Sequence, residues 1–198
     1  MGCIIRTIPA DVPHGPTHGT RHNAASPKRA ALPFVAVVNA PSTDVELVTT
    51  GGDRQPLRSW LTTFPLALGV VDPYTHESAW LLDTIARIFR VYRGADCRVA
   101  WLVTGPAEDA KRFLGPLGEE FLTFADADRT VVKSLGLSTL PAFVVIRQDG
   151  SLLGAAEGWD PAAWNEVAAD LTKLTGWSRI VLPGPGDPVA YPGTPALG

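Results

Sequence analysis

Apolar residues in this chain gather into short runs separated by turn formers, and two runs are long enough to be central strands. "LALGVV" at 66–71 is unbroken by any charge, the pattern of a strand buried on both faces. "CRVAWLVT" at 97–104 predicts a second central strand, and "FVAVV" (34–38), "VELVT" (45–49) and "FLTFA" (121–125) predict shorter ones. Between them the period changes to that of helices. Leu81, Leu82, Ile85, Ile88, Phe89 and Tyr92 recur at helical spacing, with Asp83, Arg87 and Arg90 assigned to the solvent face. A turn at "GGDRQ" leads into a short helix over 57–62, and Gly105-Pro106 opens another, with Glu108 near its positive end. "DADRTVVKSLG" predicts a capping Asp, a short helix and a left-handed stop at Gly136. Asp149-Gly150 sits between two β-rich runs, the strongest hairpin signal in the chain. Asp160 and Pro161 then start a last helix whose buried face is Trp164, Val167, Ala168, Leu171 and Leu174, ended by Gly176.

Strands joined first by helical crossovers and then by a tight hairpin imply a mixed central sheet with helices on both faces, an α/β three-layer sandwich. Composition adds the ends. Residues 1–31 are rich in turn formers and have no sustained period, so they are expected to form a mobile arm; the domain spans 32–178. Residues 179–198, "RIVLPGPGDPVAYPGTPALG", repeat Pro and Gly too often for a helix or an interior strand and are expected to be a second disordered tail. In the 198 residues, 45% hydrophobic and 19% charged content suits a packed core. A net charge of −3 supplies no basic patch for nucleic acid. No apolar run reaches membrane-spanning length and the arm has no secretory apolar region, so a cytoplasmic location without membrane association is expected. Cys3 and Cys97 are too few for a disulfide framework, in keeping with that location.

Three stretches carry a resemblance. They are "VELVTTGGDRQPLRSWLTTF", "LALGVVDPYTHESAWLLDTIARIF", and "DADRTVVKSLGLSTLPAFVVIRQDGSLLGAAEGW", in which Gly136, Leu140-Pro141 and Asp149-Gly150 fall in order. From about Val45 to Trp177 the chain resembles thioredoxin-fold proteins of the TlpA-like and redoxin branch, which neighbours the peroxiredoxins. The resemblance implies a thioredoxin-like sandwich in which Pro141 follows a cis peptide bond and faces a redox corner. It also implies that Thr139 and Leu140 offer backbone groups to an extended peptide. The departure lies at the corner, where the family's Trp-Cys-x-x-Cys falls on Tyr74, Thr75, His76, Glu77 and Ser78. As a peroxiredoxin-like Thr-x-x-Cys, the same residues have lost the cysteine at position 78.

Hydroxyls cannot replace those sulfurs. A helix N-terminus stabilises a thiolate, but a dipole contribution of about 1 kcal/mol does not reach an alkoxide, and oxygen forms no S–S bond. Thr75 and Ser78 are therefore expected to cap the helix. In the sharper alternative, Tyr74, Thr75 or Ser78 would assist a bound thiol, as hydroxyls do in glutathione transferases. His76 and Glu77 are helix neighbours that do not face each other, and His76 is expected in solvent. Asp72 is expected to be a cap or turn residue. Cys97 alternates with Val99 and Trp101 and is expected to be an inert core thiol, Cys3 an exposed one. His14, His18 and His22 recur every four residues, but Gly and Pro between them argue against a built metal site, and no metal or cofactor is expected. The chain is thus read as a binding module rather than an enzyme, taking a peptide or protein partner through Tyr74, His76, Thr139, Leu140 and Pro141 in the groove between Thr75 and Pro141. The rival reading is a divergent thiol-disulfide oxidoreductase or peroxiredoxin-like enzyme using Cys97 or Cys3, or a hydroxyl-assisted thiol transferase.

Overall fold

The computed structural model describes residues 38–198. Cys3, the three arm histidines and the expected arm lie outside them, as do residues 34–37 of the first expected strand, and Val38 belongs to no strand. The elements are β1 (Glu46–Val48), β2 (Arg54–Pro56), α1 (Leu57–Trp60), β3 (Leu66–Val71), α2 (His76–Trp80), α3 (Leu82–Tyr92), β4 (Arg98–Val103), α4 (Ala107–Leu114), α5 (Pro116–Glu120), β5 (Leu122–Ala125), α6 (Thr130–Leu135), β6 (Thr139–Leu140), β7 (Ala142–Ile146), β8 (Leu152–Glu157), α7 (Pro161–Thr175) and β9 (Thr194–Pro195).

Five strands form the central sheet in the order β5-β4-β3-β7-β8. β3, β4 and β5 run parallel through their helical crossovers, while β7 and β8 are antiparallel and joined at the Asp149-Gly150 turn. Gly150 has φ 85°, the conformation that makes a glycine useful there. β3 is fully buried along its length because one apolar cluster covers each face of the sheet. On one face Ile85, Ile88 and Phe89 of α3 and Trp164 and Leu171 of α7 pack on Val71, Trp101 and Phe143. On the other, Leu57, Leu61, Val131 and Leu135 pack on Leu68, Leu102 and Val144. This is the three-layer mixed sandwich that the element order implied.

Three local differences have physical causes. The helix expected to run through 81 is broken there. Leu81 N–H bonds the Ser78 carbonyl at 3.3 Å, a tighter three-residue turn that stacks Ser78 and Leu81 so that both are buried. Leu174 falls near the end of α7 and is 45% exposed, so the buried face stops at Leu171. Arg87, expected in solvent, is half covered by an ion pair with Asp187 at 2.5 Å.

That ion pair belongs to the largest difference. Residues 179–198 are not a free tail but a strap along the domain. Ile180 and Leu182 are buried in the first cluster, and the Asn165 side-chain amide grips both the N–H and the carbonyl of Leu182. Burial opposes charge on Asp187, but Arg87, the Gly184 N–H and the Thr84 hydroxyl outweigh it and hold the carboxyl below its ordinary range. Pro and Gly limit regular secondary structure here to the two residues of β9, yet they do not prevent a chain from docking through side chains and a few backbone bonds. Among the described residues no helix is long and apolar enough to cross a membrane.

The tight approach of α3 to the sheet rests on Gly69, where an added Cβ would lie 2.5 Å from Ile85 Cγ2 and 3.1 Å from Phe89 Cζ. Gly69→Ala is expected to lower stability by about 1–3 kcal/mol in urea unfolding. Gly51→Ala, at an exposed turn where the nearest atom is 3.6 Å away, should change it by less than about 0.5 kcal/mol.

Candidate functional site: the β3–α2 corner and the Leu140–Pro141 edge

β3 ends at Val71, and the chain turns through Asp72-Pro73-Tyr74 into α2. Thr75 occupies the N-cap position with extended backbone, but its hydroxyl accepts no helix N–H, contrary to the capping expectation. The hydroxyl instead lies 3.0 Å from Ser78 Oγ, to which it donates, and 3.3 Å from the Asp72 carbonyl oxygen. Ser78 is fully buried, and its Oγ accepts the Asp72 N–H at 2.9 Å. The Thr75 and Ser78 oxygens are thus adjacent and tie the strand end to the first turn of the helix. Burial of the Ser78 hydroxyl beside the half-buried Thr75 is tolerated because each is hydrogen-bonded.

Asp72 is buried as well, and its carboxylate has two partners. Oδ1 accepts the Tyr74 N–H at 2.9 Å, closing a turn, and Oδ2 pairs with Arg129 Nη2 at 2.9 Å. Arg129 has φ 55°, left-handed for a residue with a side chain, and reaches the corner from the loop before α6. Around this buried centre two of the expected binding residues, Tyr74 and His76, are exposed; Thr139 is half-buried, and Leu140 and Pro141 are buried, contrary to the expectation of an open groove. Tyr74 donates its hydroxyl to Asp109 Oδ2 at 2.5 Å, and that hydrogen bond, with burial second, raises the phenol above its ordinary range. His76 stacks on Trp80 with ring centroids 6.4 Å apart, and Trp80 is 58% exposed.

The second half of the site is the β6 edge. The Leu140–Pro141 bond is cis. Ala142 pairs with Val70, which sets Pro141 at the level of Val71, at the same end of the sheet as the corner. Glu157, at the end of β8, holds the approach to β6: one carboxylate oxygen accepts the Ser138 N–H, the Ser138 hydroxyl and the Thr139 N–H, at 2.8, 2.8 and 2.5 Å. The edge so presented is occupied. Thr139 pairs with Pro195 and Leu140 with Thr194 in an antiparallel ladder, and Ala196 N–H donates to the Ser138 carbonyl at 2.8 Å. Tyr191 N–H and carbonyl exchange bonds with Trp159, its ring meets Trp80 edge-on at 5.7 Å, and its hydroxyl donates to the Glu77 carbonyl at 2.5 Å. Arg129 Nη1 donates to the Ala196 carbonyl, so the guanidinium that pairs with Asp72 also holds the strap.

Tyr74, Thr75, His76, Ser78, Thr139, Leu140 and Pro141 therefore gather at one end of the sheet. Cys97 does not. It precedes the first residue of β4, the other end of a parallel strand six residues long and about 20 Å from the corner. Burial pushes its thiol up to about 12, so thiolate is absent near neutral pH. Arg129, Glu157, Trp80 and Tyr191 went unnoticed in the sequence. Trp80 carried a signal, an aromatic on the solvent side of the helix after the corner; the other three are defined by partners distant in sequence. Among the described residues no group of His, Cys, Asp and Glu converges to hold a metal ion.

No protein-family model and no curated protein matches this chain. Solved structures do. DsbF of MTB superposes with a TM-score of 0.57 over 70% of this chain and 100% of its own, at 17% identity. The chain has the thioredoxin fold. A putative thiol:disulfide interchange protein DsbE from Chlorobium tepidum gives 0.59 over 71% of this chain and 99% of its own, at 18% identity. Peroxiredoxin Q of Xanthomonas campestris gives 0.56 over 72% and 96%, at 14% identity. Neighbours of this thioredoxin fold thus include the interchange type and the peroxiredoxin type, the two branches that the motif order resembles. At these identities the likeness establishes fold; activity depends on the residues at the corner.

In a Cys3→Ser variant, Cys97 should resist an aromatic disulfide reagent at pH 8 for as long as the protein stays folded, and react at once in denaturant. Rapid reaction in the folded state would place the thiol in an open, electropositive setting.

Proposed function

We propose that this thioredoxin-fold chain does not cycle a dithiol and uses the corner and the β6 edge to hold an extended peptide or partner segment. The observation that carries the reading is the pair of oxygens, Thr75 Oγ1 and Ser78 Oγ, 3.0 Å apart where exchanging sulfurs would stand. Disulfide exchange needs a thiolate to attack sulfur and a second thiol to resolve the mixed disulfide. Peroxide reduction needs a thiolate that becomes a sulfenic acid. Neither step is open to an alcohol whose oxygen is already engaged by the Asp72 N–H.

The β6 edge supports the binding half of the reading, since its backbone pairs with an extended segment in the manner of strand addition. An oxidoreductase centred on Cys97 has less support. That thiol is buried, protonated near neutrality and remote from the edge. The hydroxyl-assisted alternative also has less support, because Tyr74 donates to Asp109, Thr75 donates to Ser78, and Ser78 is fully buried with its oxygen accepting the Asp72 N–H.

The purified protein should show no turnover above the reductant blank in insulin reduction and in hydroperoxide consumption; clear turnover in either assay overturns the proposal. Thr75→Cys/Ser78→Cys should acquire a reducible disulfide, detected as the loss of two hydrogens by mass. Two persistently free thiols at those positions would show that the corner does not match the redox corner it resembles.

A further inference from the structure

The segment seated on β6 defines what this edge recognises. Residues Tyr191–Ala196 read Tyr-Pro-Gly-Thr-Pro-Ala, and four of the six have a dedicated contact. The Tyr191 ring is set against Trp80 and its hydroxyl against the Glu77 carbonyl; burial, then the charge of Glu77, raises the phenol's pKa and keeps it a donor. Gly193 has φ 80°, and a Cβ there would fall on the Leu140 carbonyl oxygen. Thr194 pairs with Leu140 and its hydroxyl lies 3.4 Å from the Leu140 carbonyl oxygen. Ala196 is fully buried in the second apolar cluster, between the Ser138 carbonyl and the Arg129 guanidinium.

The receiving surface is shaped to match. Gly158 has φ 64°, and a Cβ added to it would come within 2.5 Å of the Pro192 carbonyl oxygen, so the domain has a glycine where the segment crosses it. The segment is also separable from what anchors the strap. Ile180, Leu182 and Asp187 are fixed to α3 and α7, and the Trp159 indole N–H holds the Pro188 carbonyl. Val189 and Ala190 are then exposed before contact resumes at Tyr191. A change of backbone angles at those two residues would lift the last residues and leave the anchors in place.

We propose that the Thr139–Leu140 edge is a receptor for an extended segment of the pattern aromatic-x-Gly-Thr-x-Ala, with Tyr191–Ala196 as its built-in ligand. A partner protein carrying that pattern enters by displacing it. This deepens the non-redox binding reading and rests on it. Tethering by two free residues gives the built-in segment an effective concentration in the millimolar range, so a free peptide of equal contacts is excluded until the tether's docking is weakened.

The test uses the full chain and a fluorescent peptide of residues 189–198, VAYPGTPALG. Gly193→Val in the chain removes the seated segment by collision and should raise affinity for the peptide at least about tenfold over the unaltered chain, by anisotropy. The same substitution in the peptide should abolish binding to either chain. If circular dichroism shows that Gly193→Val has unfolded the domain, Tyr191→Ala loosens the segment by removing ring and hydroxyl, and the same gain is expected. Equal binding by altered and unaltered chains, or none by a folded altered chain, overturns the proposal. Either failure stands apart from the redox assays, which judge the binding reading by turnover and do not depend on this peptide.

Discussion

A strand edge beside a proline has backbone donors and acceptors that something must satisfy, and at β6 the partner is β9 of the same chain. Pro141 itself contributes no N–H, so the pairing falls on Ser138, Thr139 and Leu140. Glu157 holds that stretch from the protein side with three hydrogen bonds to one carboxylate oxygen. The strap closes it from the other side. Without this pairing Ala196 would leave the second apolar cluster and Arg129 would keep only Asp72. Corner, edge and strap are therefore one connected polar network, in which Arg129 joins corner to strap and the Ala196 N–H joins strap to edge.

At the corner two hydroxyl oxygens hold the strand end against the helix start. The join runs through the Asp72 N–H and the Thr75–Ser78 contact. A helix N-terminus that lowers a thiol's pKa has far too little effect on an alcohol to make either oxygen an alkoxide. The charged pair of Asp72 and Arg129 lies beneath this arrangement, with side chains 6% and 18% exposed. Breaking a buried pair of that kind by removing one partner typically costs about 3–5 kcal/mol, so the pair constrains the corner whether or not chemistry occurs there.

Much of the scaffold was legible in the sequence. β3 was read to the residue because a strand buried on both faces needs an unbroken apolar run, and LALGVV is one. Asp149-Gly150 and the Asp160-Pro161 start of α7 were legible because turn and cap chemistry is local. The capping role expected of Thr75 failed because its hydroxyl is turned toward Ser78 Oγ and the Asp72 carbonyl and not toward the N–H groups of the first turn. The strap escaped altogether. Its Pro and Gly erase any period, and its partners lie far away, Leu140 for Thr194 and Glu77 for Tyr191. Reading such a segment as a tail infers freedom from a lack of periodicity, whereas docking needs only a few well-placed groups.

The pairing of the strap with β6 is most directly measured by amide hydrogen exchange on the unaltered protein under native conditions. The Tyr191 and Ala196 amides, bonded to the Trp159 and Ser138 carbonyls, should exchange at least about a hundredfold more slowly than in an unstructured chain. Exchange of both at unstructured rates, with β3 amides still protected, would mean that the edge stands open and that the strap does not hold it.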